Sequence, residues 1–406
     1  MWILLLMILI MPFEENPYLY LGDSFLGIFP KFTVIKLLGL IGLAWSGVQF
    51  LGGQAPLGLL TSSQTRAFLA FLCAIAAGGL ASGAGIYPVT RLIAIVGLLP
   101  LLTAAVRSER DLKRIVVAFA AIMAAVFPYA LRQMYRFGGR LGVGLHESNY
   151  FALVLVLVLP LSFVLAREAR GYRRLLWLVA TGVICLELML TGSRGGFLGF
   201  VLALTLVALR LLKSSVPALA GGAVAALLLL FIVPNPMTRR LTASGLSDDA
   251  RDSGIEASNR QRLAELKGGL RMVAENPLTG VGLGNFKAEL PKYVQVEQSN
   301  IAHNTYLELA AELGLPALVA FCFVAASALR SLERSAILAR QAGDRWLREL
   351  ALGLQAGLAG YLLGALFLSA QYEKFFWLVM FLSICLERVT RRKARVVRHQ
   401  AAVAAA

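Results

Sequence analysis

Long apolar runs broken by short polar segments set the pattern of this chain. Twelve runs read as candidate membrane spans: 1–13, 31–51, 65–83, 86–106, 112–134, 148–166, 174–191, 195–212, 215–234, 303–328, 347–369 and 374–390. Within each run the apolar residues are continuous rather than alternating. That predicts helices, which satisfy their own backbone in lipid, and not a lipid-facing barrel. The first run is short, rising only about 20 Å against a hydrocarbon core of about 30 Å. It lacks a basic leader and a small-residue cleavage site, so it does not read as a removable signal peptide.

Composition agrees with an all-α polytopic membrane protein. Of 406 residues, 58% are hydrophobic and only 15% charged, far from a soluble domain. A net charge of +16 would suit nucleic acid, but its placement does not. The basic residues collect in alternate short connections: Arg107, Arg110, Lys113 and Arg114; Arg167, Arg170, Arg173 and Arg174; Arg330, Arg334, Arg340, Arg345 and Arg348; Arg388, Arg391, Arg392, Lys393, Arg395 and Arg398. With twelve spans all four groups fall on one side, which the positive-inside rule makes cytoplasmic. The charge is topological, and no nucleic-acid partner is expected. The chain then divides into nine spans over 1–234, an outer loop over 235–302, three spans over 303–390 and a basic cytoplasmic tail over 391–406. Segments 14–30, 135–147, 192–194 and 370–373 also face outward. Cys73, Cys185, Cys322 and Cys385 lie inside apolar runs without paired spacing, so they read as small core residues.

The outer loop 235–302 is 68 residues long, with nine basic and eight acidic residues, whereas the other connections are short. Long loops of this kind tend to carry function. Leu263, Leu266, Leu270 and Val273 repeat at helical spacing. Ser258 and Gln261 have capping-box spacing, which starts the helix at Asn259, and Asn276-Pro277 ends it. Arg260, Lys267 and Arg271 form a basic stripe along it. Two readings stand: a helix lying in the membrane interface with solvated cations, or Arg260 binding an anion at the helix N-terminus. The run Gly280-Val281-Gly282-Leu283-Gly284 follows no strand, so it reads as a tight turn back to the membrane rather than a nucleotide loop.

His303 stands directly after this loop, at the mouth of an apolar helix, and is one of three histidines. Its side chain is suited to proton transfer near neutral pH. His146 reads as a loop residue and His399 as part of the tail. Thr191-Gly192-Ser193-Arg194-Gly195-Gly196 joins two spans on the same outer side; Ser193 is placed to cap the next helix and Arg194 stands in its first turn, an arrangement suited to an anion. Asn149 opens another span and is placed either to bind substrate or to cap its own helix. Arg91 and Arg132 lie within spans and Arg136 and Arg140 just outside one. Structural ion pairs with Glu187, Glu308 and Glu312 are their default reading. Tyr372, in the last outer turn, is placed to close the cavity. Asp248, Asp249 and Asp252 read as a solvated loop, and no metal site or cofactor is expected.

One histidine, several arginines and few acids suit a transfer from a diphosphate-bearing lipid: arginines grip the diphosphate and the histidine takes a proton from an acceptor hydroxyl. The stretch His303-Asn304-x-Tyr306-Leu307-x-Leu309-x-x-Glu312-x-Gly314 resembles the signature of the O-antigen ligase/polymerase superfamily of bacterial envelope glycosyltransferases. So do Ser193-Arg194-Gly195-Gly196, Asn149, Asn259-Arg260 and the run Pro277 to Phe286, over about residues 145–385. The resemblance implies a GT-C-like, metal-independent inverting transferase of the bacterial inner membrane, with its active site facing the periplasm. Its donor would be an undecaprenyl-diphosphate-linked glycan, and its acceptor, in ligases, a lipid A–core sugar. His303 matches the catalytic histidine, and Arg194 and Arg260 match diphosphate-binding arginines. Arg132, Arg136, Asn149, Asn304 and Tyr372 are further candidates. A polymerase or protein O-glycosylase of the same superfamily is the nearest alternative, and a lipid-linked glycan transporter a more distant one.

Overall fold

The computed structural model describes residues 1–14, 16–25, 29–53, 62–82, 86–137, 139–143, 147–212, 255–295 and 299–405. The expected span 215–234, the three aspartates at 248, 249 and 252, and His146 lie outside them. The described residues are mostly helical, and five helices are long and apolar enough to cross a membrane, which fits an all-α membrane protein. In chain order the helices are α1 (Trp2–Ile10), α2 (Val34–Leu51), α3 (Ser63–Ser82), α4 (Ile86–Ala105), α5 (Glu109–Ala125), α6 (Phe127–Phe137), α7 (Ser148–Glu168), α8 (Tyr172–Leu190) and α9 (Arg194–Arg210). After the undescribed stretch come α10 (Ile255–Glu275), α11 (Phe286–Tyr293), α12 (Thr305–Gln341), α13 (Arg345–Gly364) and α14 (Lys374–Ala405). A hairpin of β1 (Tyr20–Phe25) and β2 (Phe29–Thr33) occupies the connection before α2, where the apolar pattern had announced no element. The basic tail is no separate piece, since α14 runs on through it.

The core is built around α12, which packs on α3, α13 and α14, and around α13, which packs on α7 and α9. Small residues bring α9 and α13 together. A Cβ on Gly199 would stand 2.4 Å from the Gly360 carbonyl oxygen, and one on Gly360 would stand 2.4 Å from that of Gly199. One turn along, Gly195 and Gly364 repeat the contact less tightly. Backbones that touch this closely need glycine on both sides, the small-residue packing of membrane helices.

α12 breaks at Gly314, which has φ +81°, and Pro316 follows with no N–H to give. In an unbroken helix the Ala311 and Glu312 carbonyls would accept from residues 315 and 316. Here the glycine loop after α10 supplies the missing partners. Val281 donates its N–H to the Ala311 oxygen at 2.8 Å, Gly282 to that of Glu312 at 2.9 Å, and Leu315 to that of Pro277 at 2.8 Å. The loop fits so closely that a Cβ on Gly280 would fall 2.2 Å from the Glu312 carbonyl carbon, and one on Gly314 would fall 2.3 Å from the Leu278 oxygen. The sequence reading of these glycines as a tight turn is met, with the added role of mending a broken helix.

Gly280 and Gly343 share φ +67°, but a Cβ on Gly343 meets nothing within 4 Å. Gly343→Ala is expected to cost about 1–2 kcal/mol for its left-handed backbone alone. Gly280→Ala must also open the junction with α12, so its melting temperature in detergent drops further. Equal drops for the two variants would refute the packing role.

Candidate active site

α10 ends at Glu275, where Asn276-Pro277 was expected to stop it, and begins at Ile255, four residues before the expected start. The apolar stripe faces outward: Leu263, Leu266 and Leu270 are exposed, while Glu265 and Met272 on the other side are fully buried. An outward apolar stripe is what lipid at the interface rewards. The buried face packs on α11 and α12, where Gly268 and Gly269 allow Leu290 and Leu307 to approach. Of the basic stripe, Arg260 and Lys267 are exposed, and Arg271 donates to the Tyr293 carbonyl at the end of α11 at 2.6 Å.

Glu265 is thereby delivered to His303. Its Oε2 lies 3.0 Å from His303 Nδ1, and the Ile301 carbonyl oxygen lies 3.1 Å from the same nitrogen. The carboxylate and the carbonyl both accept, so the neutral ring carries its hydrogen on Nδ1 and presents a lone pair at Nε2. The other Glu265 oxygen has no hydrogen-bond partner among the described residues. Hydrogen bonding to Glu265 raises the His303 pKa above the ordinary imidazole value, against the opposing effects of burial and Arg262, with Glu147 adding to the rise.

His303 has φ +49°, the one positive value outside glycine among the described residues. Such a backbone costs on the order of 1–3 kcal/mol and survives only where its surroundings hold it. They do so on both sides. Ala302 N–H donates to Glu308 Oε2 at 3.0 Å. Asn304 caps α12, its Oδ1 accepting from Tyr306 N–H at 2.9 Å and Leu307 N–H at 3.0 Å. Glu308, expected to pair with an arginine, is instead a hub for neutral donors. It also accepts from the Ser369 hydroxyl and, at 2.7 Å, from Gln371 Nε2. Four residues on, Glu312 accepts from Phe286 N–H at 3.1 Å, at the start of α11. The two acids thus tie the histidine loop, the last outer turn and the glycine loop to one helix.

That outer turn is further held by Thr305, whose Oγ1 donates to Leu368 O at 2.7 Å and accepts from Ala370 N–H at 2.8 Å, and by Tyr150, whose hydroxyl donates to Ser369 O at 3.0 Å. Tyr372 sits in this turn, half-buried against the core.

Arg194 opens α9 as expected, with Ser193 Oγ accepting from Gly196 N–H at 3.2 Å. It acts on Arg262, the second arginine of α10. Burial lowers the Arg262 pKa first and the positive charge of Arg194 next, with Glu265 and Glu147 opposing. The two guanidiniums are within electrostatic reach of each other, and cations that repel in this way gain from an anion bound near them. Arg140 braces the same corner, donating to the Thr191 carbonyl and to Asn149 Oδ1, each at 2.6 Å. Asn149 passes a hydrogen bond on to Glu147 at 2.8 Å.

Among the residues singled out in sequence, the structure gathers His303, Arg194, Asn149, Asn304 and Tyr372 at one end of the bundle. Arg132 and Arg136 are exposed on α6, which runs toward that same end. Arg260 is exposed at the start of α10, while Arg262 faces the histidine. Glu265, Arg262 and Glu147 were missed. The available signal was the three-residue spacing of Arg262 and Glu265, on the helix side away from the leucines. Among the described residues no three His, Cys, Asp or Glu side chains come together.

No curated protein matches the chain. Residues 179–322, however, match the family model described as O-antigen ligase. The match runs from within α8 to the middle of α12, so it holds Arg194, Arg262, Glu265 and His303. This match supports the resemblance to the O-antigen ligase/polymerase superfamily.

Proposed function

We propose that the chain is an O-antigen ligase of the bacterial inner membrane, with its site facing the periplasm. It transfers glycan from an undecaprenyl-diphosphate donor to a sugar hydroxyl of lipid A–core, without a metal and with inversion. The observation that carries this reading is the His303–Glu265 hydrogen bond at the mouth of α12, with Arg262 within electrostatic reach of the histidine and Arg194 of Arg262. His303 Nε2 takes the proton of the acceptor hydroxyl as its oxygen attacks the anomeric carbon. The bond from that carbon to the diphosphate breaks, the lipid diphosphate leaves, and a single displacement inverts the centre. Glu265 fixes the ring and stabilises the imidazolium that forms, the role a carboxylate plays behind a histidine base. Arg194 and Arg262 neutralise the charge that grows on the leaving diphosphate. Arg260, Arg132 and Arg136, all exposed, belong to the approach of the anionic donor, and Tyr372 to the rim. Asn149 and Asn304 act by placing Glu147 and the start of α12.

In vitro transfer with purified protein, donor and acceptor tests the reaction. His303→Ala is expected to lower transfer by about 10²–10⁴-fold while donor binding persists, and EDTA to leave the wild type unchanged. Full transfer by the variant would sink the mechanism; slowed glycan movement across the bilayer with intact transfer would favour a transporter. Transfer only onto another repeat unit or a protein would favour the polymerase or glycosylase.

Arg262→Gln is expected to lower transfer by about 10- to 100-fold, the worth of one or two charge-assisted hydrogen bonds. Arg260→Gln, exposed, is expected to cost less, and the reverse order would reassign the diphosphate contact.

The base form of His303 is the neutral ring, so turnover rises with pH through the elevated imidazole pKa. Glu265→Gln removes the interaction that raises it. The rising limb of the pH–rate profile should then move to lower pH while its plateau falls. A lower plateau with an unmoved limb would leave Glu265 a structural role alone.

A further inference from the structure

Several cations at the opposite end of α12 are matched with carboxylates. Arg167 is paired with Glu349 at 2.8 Å, Arg210 with Glu333 at 2.6 Å, and Lys393 with Glu109 and Asp344. Between the ends of α12 and α14 the matching stops. A groove of about 360 Å³ is lined there by Arg334, Arg391, Arg395 and Arg398 over a floor of Ile337, Leu338 and Ala394. Glu387 serves both Arg334, at 3.8 Å, and Arg391, at 2.5 Å. Arg398 donates to the neutral Gln341 at 2.8 Å, and Arg395 has no hydrogen-bond or ion-pair partner among the described residues. Four guanidiniums thus share one carboxylate around an apolar floor.

The groove's depth says what kind of anion fits. The apolar runs end near residue 328 on α12 and residue 390 on α14. Arg391 and Arg334 follow by about 2 Å and 9 Å of helix rise respectively, the first within headgroup depth and the second just beyond it. Ile337 is half exposed at the mouth, positioned to meet an acyl chain while the arginines meet a phosphate. We propose that this groove binds the phosphate headgroup of an anionic membrane lipid. Basic pockets between helix ends recognise such headgroups by charge and by bidentate hydrogen bonds. The site lies outside the matched family domain and is independent of the transfer reaction.

Native mass spectrometry of the full-length protein, delipidated in detergent and offered defined lipids, tests it. Phosphatidylglycerol or cardiolipin should be retained over phosphatidylethanolamine. Retention should fall about fivefold in Arg395→Gln, the worth of one basic residue near an anionic surface. It should be abolished in the triple variant Arg334→Gln/Arg395→Gln/Arg398→Gln, and be unchanged in Arg173→Gln, on an exposed arginine at the start of α8. Arg395 is exposed and makes no contact that folding needs, so the single variant remains informative if the triple one misfolds. Equal retention of phosphatidylethanolamine, or full retention by Arg395→Gln, would overturn the proposal. So would inorganic phosphate that binds as tightly as the lipids and displaces them, since it would make this a site for a soluble anion.

Discussion

A helix that breaks inside a membrane protein has two carbonyls and an N–H to satisfy without water, each costly to leave unmade. The rest of the site depends on how this chain meets that demand at Gly314. The loop after α10 donates to both carbonyls and accepts from the Leu315 N–H. Because the mending strand of chain is continuous with α10, that helix cannot drift along α12. Glu265 is then held over His303 as a result of backbone pairing eight and more residues from either side chain.

Much of this was legible in the sequence. Ser193 as a cap, Asn276-Pro277 as a helix stop, the glycine run as a turn and His303 at a helix mouth all follow from local chemistry that tertiary structure did not override. What stayed hidden has one physical source. The leucine stripe Leu263, Leu266 and Leu270 fits a helix in the membrane interface but says nothing of what the opposite face of α10 carries. At a membrane the lipid takes the apolar stripe, and the protein interior receives Glu265 and, partly, Arg262. Arg260 and Arg262, two residues apart, project to nearly opposite sides, and sequence spacing alone could not choose between them. Glu308 and Glu312 misled for a related reason: backbone N–H groups freed by loops compete for carboxylates as well as arginines do.

Charge is distributed in two different styles at the two ends of α12. At the histidine end few charges are used, most of them partly buried, and each modifies a neighbour: Glu265 raises the imidazole pKa, and Arg194 lowers that of Arg262. At the basic end charges are numerous and largely exposed, and several are matched with carboxylates, which fixes helices to one another. Burial makes the difference, because the same pair of charges interacts far more strongly away from water than in it.

The contact between Gly199 and Gly360 bears on what this scaffold can tolerate around the candidate site. Backbone resting on backbone contains no rotamer and no side chain to repack. The start of α9, and Arg194 with it, is located to the tolerance of peptide geometry. Residues on the rim, such as the exposed Arg132 and Arg136, can therefore be exchanged without moving Arg194.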